Sequence, residues 1–260
     1  MKLGFSPVTA AILDLDEAFR LADELELDFI ELSHDLHEVM PALQEPGKVQ
    51  QLSRATGIGT TVHLSFVDLN LASVVPAARE NAVERTRRGL EFGAAVGASC
   101  GVLHSGKNLI PIPQAAMLAM QALEQSLTEL ADPAVPIALE NLVLSGSDLI
   151  RDARQLKVIT SRHGFGNCLD FGHAHVEATA KGEPTIDTYL ELMGDNLIHL
   201  HLHNNNGDND DHLPTGQGQL DYAELLPKLA GFSGTACLEI RGSAQEVRAS
   251  VQHLRELGVR

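Results

Sequence analysis

Eight short apolar runs recur along the chain, and longer segments with helical periodicity separate most of them. This alternation is typical of repeated strand–helix units that build a parallel sheet. The predicted strands are Lys2–Phe5, Phe29–Leu32, Thr61–Leu64, Gly101–His104, Ile137–Glu140, Asn167–Asp170, Ile198–His203 and Ala236–Ile240. The predicted amphipathic helices include Asp16–Glu24, Ala77–Val96, Gln114–Leu130, Asp148–His163 and Ala244–Leu257.

Eight such units predict a closed barrel of the TIM type. The chain has 260 residues, close to the roughly 250 that are typical of this fold. An open doubly wound sheet is the alternative, but no GxGxxG or phosphate-binding loop follows the first strand. Because no Gly/Ser linker or block of charge divides the chain, we expect an α/β fold with one (β/α)8 barrel domain over residues 1–260.

Side chains that can bind metals stand at or just after the ends of six successive predicted strands, from the third to the eighth. In a β/α barrel these strand ends meet at one face, where catalytic residues lie. A single His at a strand end is more often a hydrogen-bonded structural residue, but the whole set indicates a metal site. The residues are His63, His104, Glu140, Asp170, His173, His201 and Glu239.

The segment Ile198–His203 reads IHLHLH. Because strand side chains alternate between faces, its apolar residues should pack on the helices and its histidines should line the barrel interior. Of His199, His201 and His203, only one or two can lie at the depth of a metal ion. We expect His199, the deepest, to be a core residue or to support a ligand.

The longest irregular stretch, Asn204–Leu220, is rich in Asn, Asp and Gly and follows this histidine strand directly. Long polar loops in compact folds are more often functional than structural. Asp210 and His212 within it are two residues apart and could turn toward a metal ion. Loops rich in Asn and Asp are also common as solvated turns. The prediction that Asp210 and His212 bind a metal ion therefore rests on the position of the loop directly after the histidine strand.

Seven motifs in order extend the case: VHLSF, VLHSG, LEN, LDFGHAH, HLHNN, DDHLPTGQG and LEI. Together they resemble the xylose-isomerase-like barrels, which include sugar isomerases and epimerases and the endonuclease IV family. The resemblance implies three metal-binding groups that share Glu140 between the first two. These are His63, His104 and Glu140; then Glu140, Asp170, His201 and Glu239; then His173, Asp210 and His212.

The resemblance implies one to three divalent cations. The imidazole-rich first and third groups suit Zn²⁺ better than Mg²⁺, and the second group would also accept Mn²⁺ or Co²⁺. The sugar isomerases and epimerases need only the second group. An alternative is therefore that this group alone binds metal, while the other histidines contact hydroxyl groups of the substrate.

The first functional hypothesis is an isomerase or epimerase that acts on a small sugar or sugar phosphate. The metal ion would act as a Lewis acid on the substrate oxygens, while Glu140 and Glu239 remove and return a proton on carbon. Lys107 and Arg241 are the nearest cations that could contact an anionic group of the substrate, although each could equally be a surface charge.

The alternative is an endonuclease IV-like zinc phosphoesterase, acting on an abasic site in DNA or on a small phosphodiester. The formal net charge of −16, from 19 basic and 35 acidic residues, disfavours nucleic acid. The loop Ser33–Gly47 contains no Lys or Arg, although the matching loop of the DNA enzymes is basic. A metal- or sugar-binding protein without activity is the third reading, and two proton-transfer carboxylates beside a metal disfavour it.

The remaining features concern the surroundings of the protein. Cys100, Cys168 and Cys237 are far apart among apolar neighbours, which predicts small core residues rather than a disulfide framework. No signal peptide or membrane-spanning segment is visible in the sequence, so we expect a cytoplasmic enzyme without a membrane partner.

Overall fold

The computed structural model of the chain describes residues 1–36, 40–110, 112–143, 147–183 and 185–259, without the side chain of Gln44. Eight parallel strands close into a barrel in chain order, with β8 paired to β1. The predicted (β/α)8 fold is therefore confirmed. The strands are β1 (Lys2–Phe5), β2 (Phe29–Ser33), β3 (Gly59–His63), β4 (Gly101–Leu103), β5 (Ile137–Glu140), β6 (Gly166–Asp170), β7 (Leu197–Leu202) and β8 (Thr235–Leu238).

Nine α-helices lie in the described ranges, and none of them is long and apolar enough to cross a membrane. They are α1 (Leu15–Glu24), α2 (Pro46–Thr56), α3 (Pro76–Val96), α4 (Pro113–Glu129), α5 (Ala153–His163), α6 (Phe171–Lys181), α7 (Thr185–Met193), α8 (Tyr222–Leu225) and α9 (Ala244–Glu256). Residues 37–39, in the loop Ser33–Gly47 whose lack of basic residues bears on DNA binding, lie outside the described residues.

The prediction for α5 began five residues too early, because the helix starts only after Asp152. The Asp152 side chain accepts a hydrogen bond from the backbone N–H of Gln155 at 2.9 Å, and its own backbone is extended. A side-chain acceptor in this place satisfies an N–H group that has no partner within the helix, and so fixes the helix start. Asp148, where the predicted helix began, instead forms an isolated β-bridge with Lys107.

Mostly aliphatic side chains fill the space between the barrel and its helices. Leu200 and Leu202 of β7 are fully buried in this cluster. Ile198 differs from the expectation, because it packs against Val102, Ala138 and Cys168. The pairing of β6 with β7 shifts register beside it, so the strand holds one extra residue there and the simple alternation fails.

All three cysteines are buried and free, as the sequence analysis predicts. Cys168 lies inside the barrel one pleat below Asp170, since alternate residues of a strand share a face. Burial raises the pKa of the Cys168 thiol well above its usual value. A thiol in this state acts as a small apolar core residue.

The helices α6 and α7 pack together through a buried polar contact. The Tyr189 hydroxyl donates to Glu177 Oε2 at 2.8 Å, and Lys181 pairs with the other carboxylate oxygen. Glu177 and Tyr189 are both 3% exposed. The contact involves none of the nine predicted metal-binding residues and therefore allows a test of packing.

Tyr189→Phe should lower the free energy of unfolding by about 1.5–3 kcal/mol, because it removes a hydrogen bond to a buried charge. Tyr222→Phe is the matched control. Its hydroxyl donates to a neutral acceptor, the backbone oxygen of His203, at 2.8 Å, which is worth about 0.5–1.5 kcal/mol. Urea unfolding at equal metal content measures both, and an equal loss in the two variants would contradict the charge argument.

Candidate metal centre

The nine residues assigned to metal binding lie together at the carboxyl ends of the strands. Six of them end a strand, follow it directly or lie one residue before its end, and His173 lies in the first turn of α6. The remaining two, Asp210 and His212, belong to the loop between β7 and α8. The barrel topology brings these distant parts of the sequence into one region, where the members of each predicted group lie near one another.

The central group surrounds one nitrogen of His201. Its Nδ1 atom lies 3.0 Å from Glu140 Oε1, 3.4 Å from Glu239 Oε2 and 3.7 Å from Asp170 Oδ2. His201 and Asp170 are fully buried, and Glu140 and Glu239 are nearly so. Three carboxylates facing one imidazole nitrogen form a mixed oxygen and nitrogen donor set. Such a set suits Zn²⁺ or Mn²⁺ better than it suits cations that prefer oxygen ligands alone.

The first group continues from the other oxygen of Glu140. Its Oε2 atom lies 2.9 Å from His104 Nε2 and 3.8 Å from His63 Nε2. The opposite ring nitrogen of His63 donates to the backbone oxygen of Leu64 at 3.0 Å, which turns Nε2 toward the carboxylate. Glu140 therefore lies between the His201 nitrogen and those of His104 and His63, where a bridging ligand would stand.

The third group lies around Asp210. Its Oδ2 atom is 3.0 Å from His212 Nε2 and 3.5 Å from His173 Nε2. His212 has a left-handed backbone with φ of 51°, which is uncommon for a residue other than Gly and is often found at functional sites. Its Nδ1 atom contacts the backbone oxygen of Glu239 at 2.7 Å, and this contact holds the ring in place.

Glu31 was missed by the sequence analysis. It is fully buried, and its two oxygens lie 3.2 Å from His201 Nε2 and 3.1 Å from His199 Nε2. Thr61 donates to the same carboxylate at 2.8 Å. A carboxylate behind a ligand histidine fixes its ring and its tautomer. A charged residue in the apolar strand FIELS was the available signal.

His203 was also left out of the nine, although it shares a strand face with His199 and His201. Its Nε2 atom lies 3.1 Å from Asp170 Oδ1 and 3.4 Å from Asp210 Oδ1, and the residue is fully buried. It therefore lies between the central and third groups. The alternation in IHLHLH predicted its direction but not its depth in the barrel.

Burial and ionic pairing act in opposite directions on the pKa values of these side chains. Burial opposes the charge of Glu140, but His201 and His104 hold its pKa well below the usual value. Burial also opposes the charged form of His173, but the carboxylates of Asp170, Asp210 and Glu140 raise its pKa to about 10. For His104, burial outweighs the attraction of Glu140, so its pKa is lowered. A cation that binds His173 has to displace a proton.

A cavity of about 390 Å³ opens beside the first and third groups. His104, His173 and Asp210 line it together with apolar side chains that include Phe66 and Leu142. This volume falls within the roughly 300–1,000 Å³ of small-molecule sites. The cavity therefore places a small ligand next to histidines that contact Glu140.

The two predicted cations occupy different places. Lys107 lines the cavity and is exposed, and its backbone is fixed by two hydrogen bonds with the Asn70 side chain at 2.8 and 2.9 Å. Arg241 is exposed, and its backbone N–H donates to the backbone oxygen of His212 at 2.9 Å. Among the described residues, Arg241 is not part of the cavity lining.

The donor set fits bound cations. Glu140 Oε2 and Asp210 Oδ1 are buried oxygens that face histidine nitrogens, His104 Nε2 at 2.9 Å and His203 Nε2 at 3.4 Å. In each of three sets, the candidate ligand atoms lie within 4.8 Å of one another. The sets are His63, His104 and Glu140; Glu140, Asp170 and His173; and His173, His203, Asp210 and His212. Buried carboxylates are costly unless they are paired or bind metals.

Known proteins show the family to which this chain belongs. The sequence profile of the family described as xylose isomerase-like TIM barrel matches residues 19–257. The uncharacterized protein MJ1614 of Methanocaldococcus jannaschii is 26% identical over 99% of both chains. A probable endonuclease 4 of Mycoplasma pneumoniae is 30% identical over 66% of this chain and 63% of its own. Fructoselysine 3-epimerase of Shigella flexneri is 24% identical, over 92% and 90% of the two chains.

Solved structures have the same fold. A D-tagatose 3-epimerase-like protein superimposes with a TM-score of 0.82 at 23% identity, over 99% of this chain and 97% of that one. The TTHB071 protein of Thermus thermophilus, soaked with ZnCl2, gives a TM-score of 0.72 at 26% identity, over 99% and 98% of the two chains.

Glu31→Gln should weaken the binding of Zn²⁺ or Mn²⁺ by about 10- to 100-fold, because the amide no longer fixes His201 by its charge. Competition with a chelator of known affinity measures the change. Glu177→Gln is the control, since Glu177 is also a buried carboxylate but pairs with Lys181 and Tyr189. Equal affinity in Glu31→Gln and the parent protein would show that Glu31 does not orient His201.

Proposed function

Because this chain belongs to the xylose isomerase-like TIM barrel family, we propose that it is a metal-dependent isomerase or epimerase of a small sugar or sugar phosphate. The observation that carries the proposal is the convergence of Glu140, Asp170 and Glu239 on His201 Nδ1, within 3.7 Å. A divalent cation held by this group supplies Lewis acidity to neighbouring carbonyl and hydroxyl oxygens of a sugar.

Glu140 and Glu239 are the proton-transfer residues of the proposal. The low pKa of Glu140, which His201 and His104 maintain against the effect of burial, keeps this carboxylate ionised at neutral pH. The ionised form is the one a proton acceptor requires, although a low pKa also makes the carboxylate a weaker base. Glu239 faces the same nitrogen of His201 as Glu140 does, with its Oε2 atom 3.4 Å from Nδ1. One carboxylate accepts the proton and the other returns it. This transfer either inverts the configuration of a carbon atom or moves the carbonyl group to the neighbouring carbon, without an external oxidant or reductant.

The cavity is consistent with a small substrate. Its apolar wall, which includes Phe66 and Leu142, suits the carbon face of a sugar, and His104 suits a hydroxyl group. Lys107 would then contact a phosphate or carboxylate of the substrate at the rim. Arg241, outside the lining, would meet only a longer substrate that extends toward His212.

Phe66 would form part of this wall through a fixed loop. Its ring centroid lies 4.6 Å from that of His104 and 5.0 Å from that of His63. Asp35 accepts hydrogen bonds from the backbone N–H groups of Phe66 and Val67 at 2.6 and 2.7 Å. The loop position, and with it the shape of the cavity beside His104, therefore depends on Asp35.

Phosphoester hydrolysis is the second candidate, because all three groups of the nine-residue set are present at one barrel end. Against a DNA substrate stands the net charge of −16, since gripping DNA requires basic side chains that neutralise phosphates. Arg85, a cation close to the loop after β2, pairs with Asp35 at 3.1 Å. A small phosphodiester is the form of this alternative that the charge permits.

Glu239→Gln should abolish the exchange of solvent deuterium into an accepted sugar, because the amide cannot carry the proton. Mass spectrometry of the sugar after incubation in deuterated water measures the exchange, with full metal loading verified by elemental analysis. Glu191→Gln, a change on the outer helix α7, serves as the control and should exchange like the parent protein. Unchanged exchange in Glu239→Gln would remove Glu239 from proton transfer.

The same protein separates the two candidate functions. Incubated with an oligonucleotide that contains an abasic site, at physiological salt, it should leave the strand intact. Metal-dependent cleavage at that site, lost in Glu140→Gln, would replace the isomerase proposal by the hydrolase.

A further inference from the structure

His203 has the contacts of a metal ligand in the third group. It directly follows β7, its side chain is fully buried, and its ring stacks on that of His212 with centroids 4.0 Å apart and an interplanar angle of 18°. Its Nε2 atom lies 3.4 Å from Asp210 Oδ1. The third group therefore contains three imidazoles and one carboxylate.

All three rings turn Nε2 toward the Asp210 carboxylate, and that of His203 lies nearer still to Asp170 Oδ1, at 3.1 Å against 3.4 Å. The Nδ1 atoms of His173, His212 and His203 lie 2.8, 2.7 and 3.5 Å from backbone carbonyl oxygens, so each Nδ1 is the donor side of its ring. The Nε2 atoms then point to the carboxylate, at 3.5, 3.0 and 3.4 Å. A carbonyl oxygen behind each ring is the usual support of a ligand histidine.

The dimensions suit a tetrahedral ion. The four candidate ligand atoms of this group all lie within 4.8 Å of one another. Zinc bonds to nitrogen of about 2.0–2.1 Å place tetrahedral ligands about 3.4 Å apart, so small side-chain rotations bring the set to the required distances. Asp210 Oδ1, the oxygen of that carboxylate which faces His203, is buried and accepts no hydrogen bond of good geometry from any described residue.

Gly172 provides the room for this ring. A Cβ atom at position 172 would lie 1.9 Å from Cε1 of His203, which is far inside van der Waals contact. The backbone of His203 is fixed from the other side, since Tyr222 donates to its carbonyl oxygen at 2.8 Å. The glycine in LDFGHAH therefore leaves the space that the His203 ring occupies.

We propose that His203 is the fourth protein ligand of a metal ion bound by His173, Asp210 and His212, and that this site is closed and structural. Structural zinc sites use four protein ligands, whereas catalytic sites keep one position open for water or substrate. The closed site would attach the loop Asn204–Leu220 to the start of α6. This inference does not rest on the sugar reaction, which uses the central group.

Cobalt substitution tests the assignment without an activity assay. Four-coordinate Co²⁺ absorbs visible light much more strongly than five- or six-coordinate Co²⁺, so the closed site should give the strong band of the loaded full-length chain. His203→Asn should remove this band and weaken the tightest site by more than about 100-fold, beyond the cost of losing a group that only supports a ligand. His253→Asn is the control, because His253 contacts Thr215 and belongs to none of the groups.

Two further variants keep the test decisive. Asp210→Asn should remove the same band, and adding His203→Asn to it should cause no further loss of bound cobalt. His203→Gln, which preserves more of the side-chain volume, replaces the Asn variant if that one fails to fold, and it should also lack the band. A band that persists without His203 overturns the proposal, as does an additive loss in the double variant, which would place His203 behind Asp170 in the central group.

Discussion

The whole barrel end depends on compensating the negative charge of three buried carboxylates. Glu140, Asp170 and Glu239 face one nitrogen of His201, where their mutual repulsion is little screened by solvent. Positive charge, from protons on the histidines or from bound cations, has to accompany them. The neighbouring imidazoles supply the first in the metal-free chain, as the raised pKa of His173 shows, and they are ligands for the second.

Only some parts of this site could be predicted from the sequence. A strand end that bears His, Asp or Glu is recognisable, and the barrel topology alone brings six such ends together. The depth of each side chain inside the barrel could not be predicted. Glu31 on β2, for example, contacts His201 on β7, and no spacing along the sequence encodes such a contact. The helix α6 was missed because it begins directly after Asp170, inside a motif whose histidines suggested a site. The extra residue at Ile198 arises from a register shift, which a pattern of alternating residues cannot reveal.

A closed third site changes how the metal content of this protein bears on its function. Three ions per chain would ordinarily favour a hydrolytic cluster, since adjacent metals activate water and stabilise both the attacking and the leaving oxygen. If the ion of the third group only fastens the loop Asn204–Leu220, a content of two or three zinc ions per chain is also consistent with an isomerase. The number of ions then reports on structure, and the reaction has to be read from proton exchange.

Asn141 connects the groups more directly than the shared Glu140 does. Its side chain accepts from the backbone N–H of Asp170 at 2.7 Å and donates to the backbone oxygen of Asp170 at 3.0 Å. Its own backbone oxygen lies 2.8 Å from His173 Nδ1, and the Asp170 carboxylate accepts from the His173 backbone N–H at 2.7 Å. One residue thus sets the position of a ligand in the central group and of another in the third. A shift of either motif, LEN or LDFGHAH, therefore affects Asp170 in the central group and His173 in the third group together, so a loop fastened at the third group also bears on the position of Asp170.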